Sequence, residues 1–211
     1  MNANNENINM DGWNAIVNAF QAIYPEQTDP KHYGTLIPYY LGGNDPLDGI
    51  SIYDGGDFWH FVTFGLTELY DKESENTEYS GFGMEFTLKL KKGCYAPEDE
   101  ETELKGICGI LQSIARITFN SGELFRPYEY LYTGQKTGMD IHKKSQLTGF
   151  ITIPDTSVKA MDTPNGKMEF VQLIGMTDAE LLKLRNKETT VRELYSALNT
   201  DITDYHRNSI V

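Results

Sequence analysis

One histidine stands among residue types that can perform acid–base chemistry. His60 lies in the aromatic segment FWHF, and carboxylates occur around it at Asp48, Asp54, Asp57 and Glu68. A histidine with paired carboxylates is a set that general acid–base hydrolysis can use. However, carboxylates in turns more often accept bonds from backbone amides, and a lone histidine in an apolar segment is more often structural. A hydrolase is therefore the third of three hypotheses, and we predict that the protein is not an enzyme.

No other sequence pattern specifies catalysis or a cofactor. The chain has no Gly-x-Ser-x-Gly motif, no phosphate-binding loop and no Gly-x-Gly-x-x-Gly dinucleotide motif. Its four histidines lack the spacing of metal ligands, and the calcium-loop-like segment 44–49 has Pro46 at a ligand position. We therefore predict no catalytic residue, no cofactor and no metal site.

The charge of the chain limits its partners. The 211 residues include 18 Lys and Arg against 31 Asp and Glu, a net charge of −13 that repels phosphate backbones and anionic lipids. We expect neither nucleic acid nor a membrane as partner, and the same charge favours a basic protein partner. A solvated surface that only maintains solubility is the commoner reason for such a charge. The oligomeric state stays open.

Cysteine content and targeting signals indicate the compartment. The two cysteines do not make a disulfide framework, and the first 30 residues contain neither the basic nor the continuous apolar part of a signal peptide. No run of apolar residues is long enough to span a membrane. We therefore expect a cytoplasmic protein.

Helical signals occur at four places. Apolar residues recur at helical spacing over 13–24, and again over 104–119 behind an acidic run at 98–103. Carboxylates at a helix start are favourable in themselves, so we read the acidic run first as the N-terminus of that helix. Thr177 and Thr190 each stand three residues before a glutamate, a capping-box spacing that predicts two short helices.

Strand signals fill much of the remainder. The clearest is 84–91, where apolar residues such as Met84 and Phe86 alternate with polar residues such as Glu85. This alternation predicts a half-buried strand, with Glu85 in solvent unless both faces of the strand are covered. Segments rich in aromatic and β-branched residues predict further strands at 50–53, 58–66, 128–133, 147–153 and 168–175.

These elements predict one α+β domain with a mixed, mainly antiparallel β-sheet packed with helices. No repeat, linker or composition break divides the chain, and its length is ordinary for one domain. We assign residues 1–12 to a flexible N-terminal tail, 13–200 to the single domain and 201–211 to a C-terminal tail.

Two long segments carry a family resemblance. Residues 41–71 (LGGNDPLDGISIYDGGDFWHFVTFGLTELYD) and 80–91 (SGFGMEFTLKLK) resemble the N-terminal domain of the Suppressor of fused family. The turn DTPNG at 162–166 and the strand FVQLIG at 170–175 continue the resemblance. The similarity extends over residues 24–184, most of the chain.

The resemblance implies a Suppressor-of-fused-like domain over 13–200 that binds protein and performs no catalysis. The animal member is a negative regulator that holds a zinc-finger transcription factor of Hedgehog signalling, and its second domain helps to clamp the partner peptide. This chain ends at Val211, and we expect it to lack that second domain, so the partner is not carried over. Where the animal domain contacts the peptide, after its central helix, this chain has Ile117 and Glu129.

Short members of the family resemble bacterial proteins proposed to act as immunity proteins beside toxins. The leading hypothesis is therefore a bacterial immunity protein that binds and neutralises a cognate basic toxin. The alternative is a regulatory or scaffold protein that adds an extended peptide to a sheet edge. The candidate partner-binding or family-motif residues are Asp48, Tyr53, Asp54, Trp59, His60, Glu68, Glu85 and Glu129.

Overall fold

The computed structural model describes residues 8–37, 39 and 42–211. In this part of the chain the helices are α1 (Asp11–Ile23), α2 (Glu100–Ser121), α3 (Asp178–Arg185) and α4 (Val191–Leu198). The strands are β1 (Lys31–Gly34), β2 (Gly49–Asp54), β3 (Phe58–Phe64), β4 (Tyr79–Lys91), β5 (Tyr130–Leu131), β6 (Leu147–Pro154), β7 (Met161–Thr163) and β8 (Gly166–Thr177).

The strands form one mixed sheet. Its order is β1-β2-β3-β4-β8-β6-β5, and β7 pairs with the first part of β8. The central pair, β4 with β8, is parallel and places Leu88 opposite Leu173, whereas the other pairs are antiparallel. The predicted α+β class with a mainly antiparallel mixed sheet is confirmed.

Helix α2 covers one face of the sheet. Leu104, Ile107 and Leu111 recur at helical spacing, are fully buried and belong to the same apolar cluster as Phe86 and Leu88 of β4. The acidic run lies at the start of this helix, as predicted, with Glu100, Glu101 and Glu103 in its first turn.

Helix α1 covers part of the opposite face. Ile16 and Phe20 are fully buried in a second apolar cluster with Tyr53 and Phe170. The ring of Phe20 stacks on Tyr53 at a centroid distance of 5.1 Å and meets Phe170 edge-on at 5.7 Å. The sheet is therefore covered on both sides.

Because both faces are covered, the predicted half-burial of 84–91 is wrong. Glu85, Thr87 and Lys89 are 0%, 0% and 2% exposed. Of the two alternatives for Glu85, the strand with both faces covered is the correct one. Each of these three polar side chains has hydrogen-bond partners elsewhere in the chain, which is the condition for burying such groups.

Helices α3 and α4 begin at the two predicted capping boxes. In each helix the threonine hydroxyl accepts the amide of the glutamate three residues later, and that glutamate accepts the threonine amide. Both helices pack on β6 and β8 through a third apolar cluster that includes Leu181, Leu194 and Ile174.

The segments assigned to tails differ from that assignment where they are described. Residues 1–7 lie outside the described residues, and α1 begins at Asp11, inside the segment 1–12. Residues 201–211 pack against the sheet: Thr203 donates its amide to the Lys89 carbonyl (2.8 Å), and Tyr205 is 5% exposed. Asp201 and Arg207 in this segment form ion pairs with the buried side chains of Lys89 and Glu180.

Candidate functional site

His60 is enclosed within the protein. Its side chain is completely buried, with Nδ1 2.9 Å from the Tyr24 hydroxyl and Nε2 2.9 Å from Asp155 Oδ2. Thr87 donates its hydroxyl to the same carboxylate oxygen at 2.6 Å. Both ring nitrogens are therefore occupied, and the imidazole joins α1, β3 and the segment after β6 instead of facing a ligand.

Asp155 is held in its charged form. Burial alone raises its pKa, but the hydrogen bond and charge of His60, with the hydrogen bond from Thr87, outweigh this effect and lower the pKa to about 2. Its Oδ1 accepts the amides of Ser157 (2.7 Å) and Val158 (3.0 Å). Asp155 was not among the residues predicted from the sequence. The signal that could have identified it is its position, since it is an aspartate at the end of a strand where a turn begins.

The carboxylates selected around His60 do not reach it. Asp54 accepts a hydrogen bond from the Lys92 ammonium, which lowers the pKa of that carboxyl. Asp48 accepts the Tyr70 hydroxyl at 3.0 Å. Within the described residues, Asp155 is the carboxylate bonded to His60, so the arrangement expected for a hydrolase is not formed.

Glu85 anchors the start of the connection between β3 and β4. Its Oε1 accepts the amides of Gly65, Leu66 and Thr67 at 2.9–3.0 Å, and its Oε2 accepts the hydroxyl of Thr63. Burial raises its pKa to about 7, against the opposing effect of these bonds. The side chain therefore shapes a loop from inside the protein.

Glu68 anchors the rest of that connection. It accepts the Lys72 ammonium (2.6 Å) and the amides of Glu73 (2.7 Å) and Gly81 (3.0 Å). Burial raises its pKa, but these donors outweigh the effect and lower the pKa to about 2. Two carboxylates from the motifs that carry the family resemblance thus fix the connection between β3 and β4. We call its residues 65–78 the 65–78 loop.

The two aromatic candidates are packing residues. Tyr53 is 2% exposed and stacks on Tyr24 at a centroid distance of 5.3 Å. Trp59 is half-buried, donates its indole N–H to Glu100 at 3.2 Å and lies under the Lys92 ammonium, 4.1 Å from the ring centroid. Neither ring offers a free face of the kind that binds a ligand.

Glu129 lies at an open end of the sheet. It is exposed and precedes β5, the last strand in the sheet order. Its carboxylate accepts the Arg126 amide at 2.8 Å, and its carbonyl accepts the Thr152 amide at 2.9 Å. Since hydrogen-bonded positions alternate along an antiparallel pair, the next residue, Tyr130, directs its backbone groups away from β6.

A cleft of about 640 Å³ lies between α2 and the β5–β6 end of the sheet. Ile110 and Ile114 of α2 form part of one wall, and Phe150 and Met139 contribute to the opposite side. Residues 133–146, which we call the 133–146 loop, close it on the outside. We call this feature the α2–β6 cleft; its volume is typical of ligand sites.

The part of the chain that the structure describes contains neither a metal-binding group nor a membrane-spanning helix. There, no three His, Cys, Asp or Glu side chains are grouped so that they could hold a metal ion. Over the same residues, no helix has the length and apolar character needed to cross a membrane. The cysteines Cys94 and Cys108 are buried, and burial raises the pKa of the Cys108 thiol to about 12.

The fold and these placements define a class: an α+β domain with one mixed sheet, internal motif carboxylates, an open sheet edge at β5 and a cleft beside the central helix. The family model described as Suppressor of fused protein (SUFU) matches residues 43–208. The chain belongs to the Suppressor of fused family, as the motifs predicted.

Individual relatives agree with this assignment. The chain is 30% identical to the Suppressor of fused homolog of Homo sapiens over 185 residues, which cover 81% of this chain and 36% of the human protein. A chain of the Sufu–Fu complex crystal structure matches with a TM-score of 0.81 and 26% identity, over 95% of this chain and 92% of that one. A SUFU homolog from Neisseria gonorrhoeae shares the fold, with a TM-score of 0.60, 17% identity and coverage of 96% and 98%.

Proposed function

We propose that this chain is a protein-binding domain that acts as an immunity protein, neutralising a basic toxin by covering the toxin's working surface. The observation that carries the proposal is the net charge of −13. An acidic surface attracts a basic protein over a distance and speeds their association. A family relative crystallised as the Sufu–Fu complex supports protein binding in general.

Exposed carboxylates are available for such a contact. In the 65–78 loop, Glu73 and Glu75 are exposed, and neither takes part in an ion pair within the described residues. The loop itself is held by Glu68 and Glu85 from below. A rigid loop that presents uncompensated charge loses little entropy when a partner binds.

The test is capture from the native cell lysate at low and high salt, followed by mass spectrometry and co-expression with the captured protein. We expect one basic toxin-like partner, weaker retention at high salt and protection of the co-expressing cell. The pair Glu73→Lys and Glu75→Lys should weaken retention. The same charge change at two other exposed acids, Glu26→Lys with Asp29→Lys, is the matched control. Absence of a partner together with absence of protection contradicts the proposal.

A second candidate function is peptide binding by strand addition at β5. The observation that favours it is the open end of the sheet, where β5 has no further strand beyond it in the described residues and Tyr130 is 40% exposed. A peptide strand could continue the sheet by bonding to the outward backbone groups of Tyr130.

Backbone chemistry separates the two candidates. Strand addition predicts binding to a panel of unstructured peptides, and loss of that binding when alternate amides of the peptide are N-methylated. Immunity by surface covering predicts one folded partner and no binding to the panel. If a peptide still binds after N-methylation of either alternate set of its amides, strand addition is excluded.

A further inference from the structure

The 133–146 loop beside the α2–β6 cleft is basic, although the protein is acidic, and one of its lysines, Lys143, lines the cleft. The 133–146 loop carries exposed Lys136, Lys143 and Lys144. Its one aspartate, Asp140, turns inward and accepts the amides of Lys144 (2.9 Å) and Ser145 (2.7 Å). In the described part of the chain, none of the three lysines belongs to an ion pair. Within the described residues, the positive charge of these lysines is therefore not neutralised by an ion pair, in a protein that has 31 acidic side chains.

The helix wall of the cleft contains two glycines that the fold does not need. A Cβ at Gly109 would have nothing within 4 Å, and one at Gly106 would make only an ordinary contact with Ile141 at 3.6 Å. Glycine inside a helix is less stable than alanine, so internal packing gives no reason for either residue. Both line the cleft, where they leave α2 flat enough for another chain to approach its backbone.

The floor of the cleft contains a polar group without a partner. Thr148 lines the cleft and is 8% exposed, and its hydroxyl makes no hydrogen bond with any described residue. Buried hydroxyls are normally bonded, because leaving one unbonded is unfavourable.

We propose that the α2–β6 cleft binds an acidic segment of a protein partner. The segment places apolar side chains against Ile110 and Ile114 and a carboxylate beside Lys143, and Lys136 and Lys144 add positive charge on the same loop. The uncompensated lysines select this chemistry over a neutral or basic segment. The inference rests on the proposed function, since it needs a protein partner. The net charge describes the whole surface of this protein, whereas the cleft specifies the chemistry of one segment of the partner.

In the experiment, random displayed peptides are selected for binding to the full chain. The affinity of the enriched peptides is then measured by fluorescence polarisation. We expect peptides with net negative charge and at least two large apolar residues, whose binding weakens as salt increases. Gly109→Leu, which fills the cleft, and Lys143→Glu, which reverses its wall, should each weaken binding by about tenfold. Lys187→Glu is the matched control, because Lys187 is also exposed and unpaired and has nearly the same φ, 61° against 57°.

Three results overturn the inference: no enriched peptide, enriched peptides that are neutral or basic, or equal weakening by Lys143→Glu and Lys187→Glu. Thermal unfolding of each variant shows that a loss of binding is not a loss of folding, and Lys143→Glu provides the test if Gly109→Leu does not fold. A lysate partner retained equally by the wild type and Lys143→Glu leaves the proposed function in place and removes only the cleft as its site.

Discussion

Two carboxylates in the interior of this protein, those of Asp155 and Glu180, are each bonded to a nitrogen-bearing side chain. His60 meets Asp155 at 2.9 Å, and Glu180 meets Arg207 at 2.6 Å; three of these four side chains are completely buried, and that of Arg207 is 11% exposed. Removing such groups from water is costly, and the cost is offset only while both members are present. Single substitutions at these positions are therefore expected to act on stability before they act on binding.

His60→Ala should lower the free energy of unfolding by about 3–5 kcal/mol, because it leaves the Asp155 carboxylate buried without its imidazole partner and the Tyr24 hydroxyl without its hydrogen-bond partner. Urea unfolding followed by fluorescence measures the change. His206→Ala, at an exposed histidine, should stay within about 0.5 kcal/mol of the wild type. Equal midpoints for the two variants would show that the buried pair is not a stabilising element.

Glu85 should make the protein less stable as pH rises from about 5 to 7. Burial raises its pKa from 4.5 to about 7 in the folded state, so the folded chain binds the proton more tightly than the unfolded chain. Its contribution is complete below the unfolded pKa and is lost as pH rises through the folded pKa, by about 1–3 kcal/mol.

The comparison with Glu85→Gln isolates this effect. Glutamine resembles the protonated acid, so the variant should gain stability relative to the wild type as pH rises over that interval. Asp155 and Glu68, whose pKa values are lowered, act in the opposite direction at more acidic pH and are present in both proteins. Parallel pH profiles of the two proteins would refute a raised pKa at Glu85.

Prediction at the scale of residues was limited by partners that are distant in the chain. The aromatic setting of His60 predicted a partly buried structural histidine, and this expectation follows from local composition, although the side chain is in fact completely buried. The identity of its partner does not, because 95 residues separate it from Asp155. The same distance problem explains why Lys89, bonded to Asp201, was expected in solvent.

At the scale of elements, α2 can be made more stable than it is. Gly109→Ala should raise the free energy of unfolding by about 0.5–1 kcal/mol, because the new methyl group meets nothing and the helix gains a better helix former. Differential scanning calorimetry measures the shift. A decrease would show that the glycine is required by the fold itself.

Gly149→Ala in β6 is the matched substitution with the opposite expected sign. Its Cβ would collide with the carbonyl oxygen of Leu131 in β5, which is backbone and cannot move independently. A loss of about 1–3 kcal/mol is expected. Together the two alanines separate a glycine that packing requires from one that it does not.

The elements themselves were predicted where local signals are strong. Capping boxes predicted both short C-terminal helices, and apolar periodicity predicted α1 and α2. The strands β1 and β7 were missed, since they contain four and three residues and bury little. Alternation correctly predicted the strand within β4 but not its burial, because alternation cannot show that a second layer covers the polar side.

At the scale of the whole molecule, the last residues complete the fold. Truncation after Thr200 removes Asp201 from Lys89, which is 2% exposed, and Arg207 from Glu180, which is 0% exposed. Stability should fall by more than about 3 kcal/mol, as measured by chemical denaturation. Arg207→Ala gives a milder version of the same loss, and Arg192→Ala, whose guanidinium lies over Tyr128, is the control. An unchanged midpoint in the truncated chain would restore the assignment of 201–211 to a tail.

The order of the strands was beyond the reach of the sequence alone. Neighbouring strands along the chain pair with one another from β1 to β4, but the next strand in the sheet is β8, which lies parallel to β4. Periodicity identifies strands without showing which edges meet. The family resemblance, carried by whole motifs, supplied the fold that the separate elements could not.

The parallel central pair also determines the order in which the molecule can be completed on the ribosome. Helix α1 and the meander of β1 to β4 leave the exit tunnel before α2, which then covers one face. The edge of β4 that includes Phe86 and Leu88 stays unpaired until β8 has been synthesised. Until β8 emerges, the nascent chain exposes an apolar edge of the kind that sticks to other chains. We therefore expect chaperones to bind chains of this protein whose synthesis has stalled between α2 and β8.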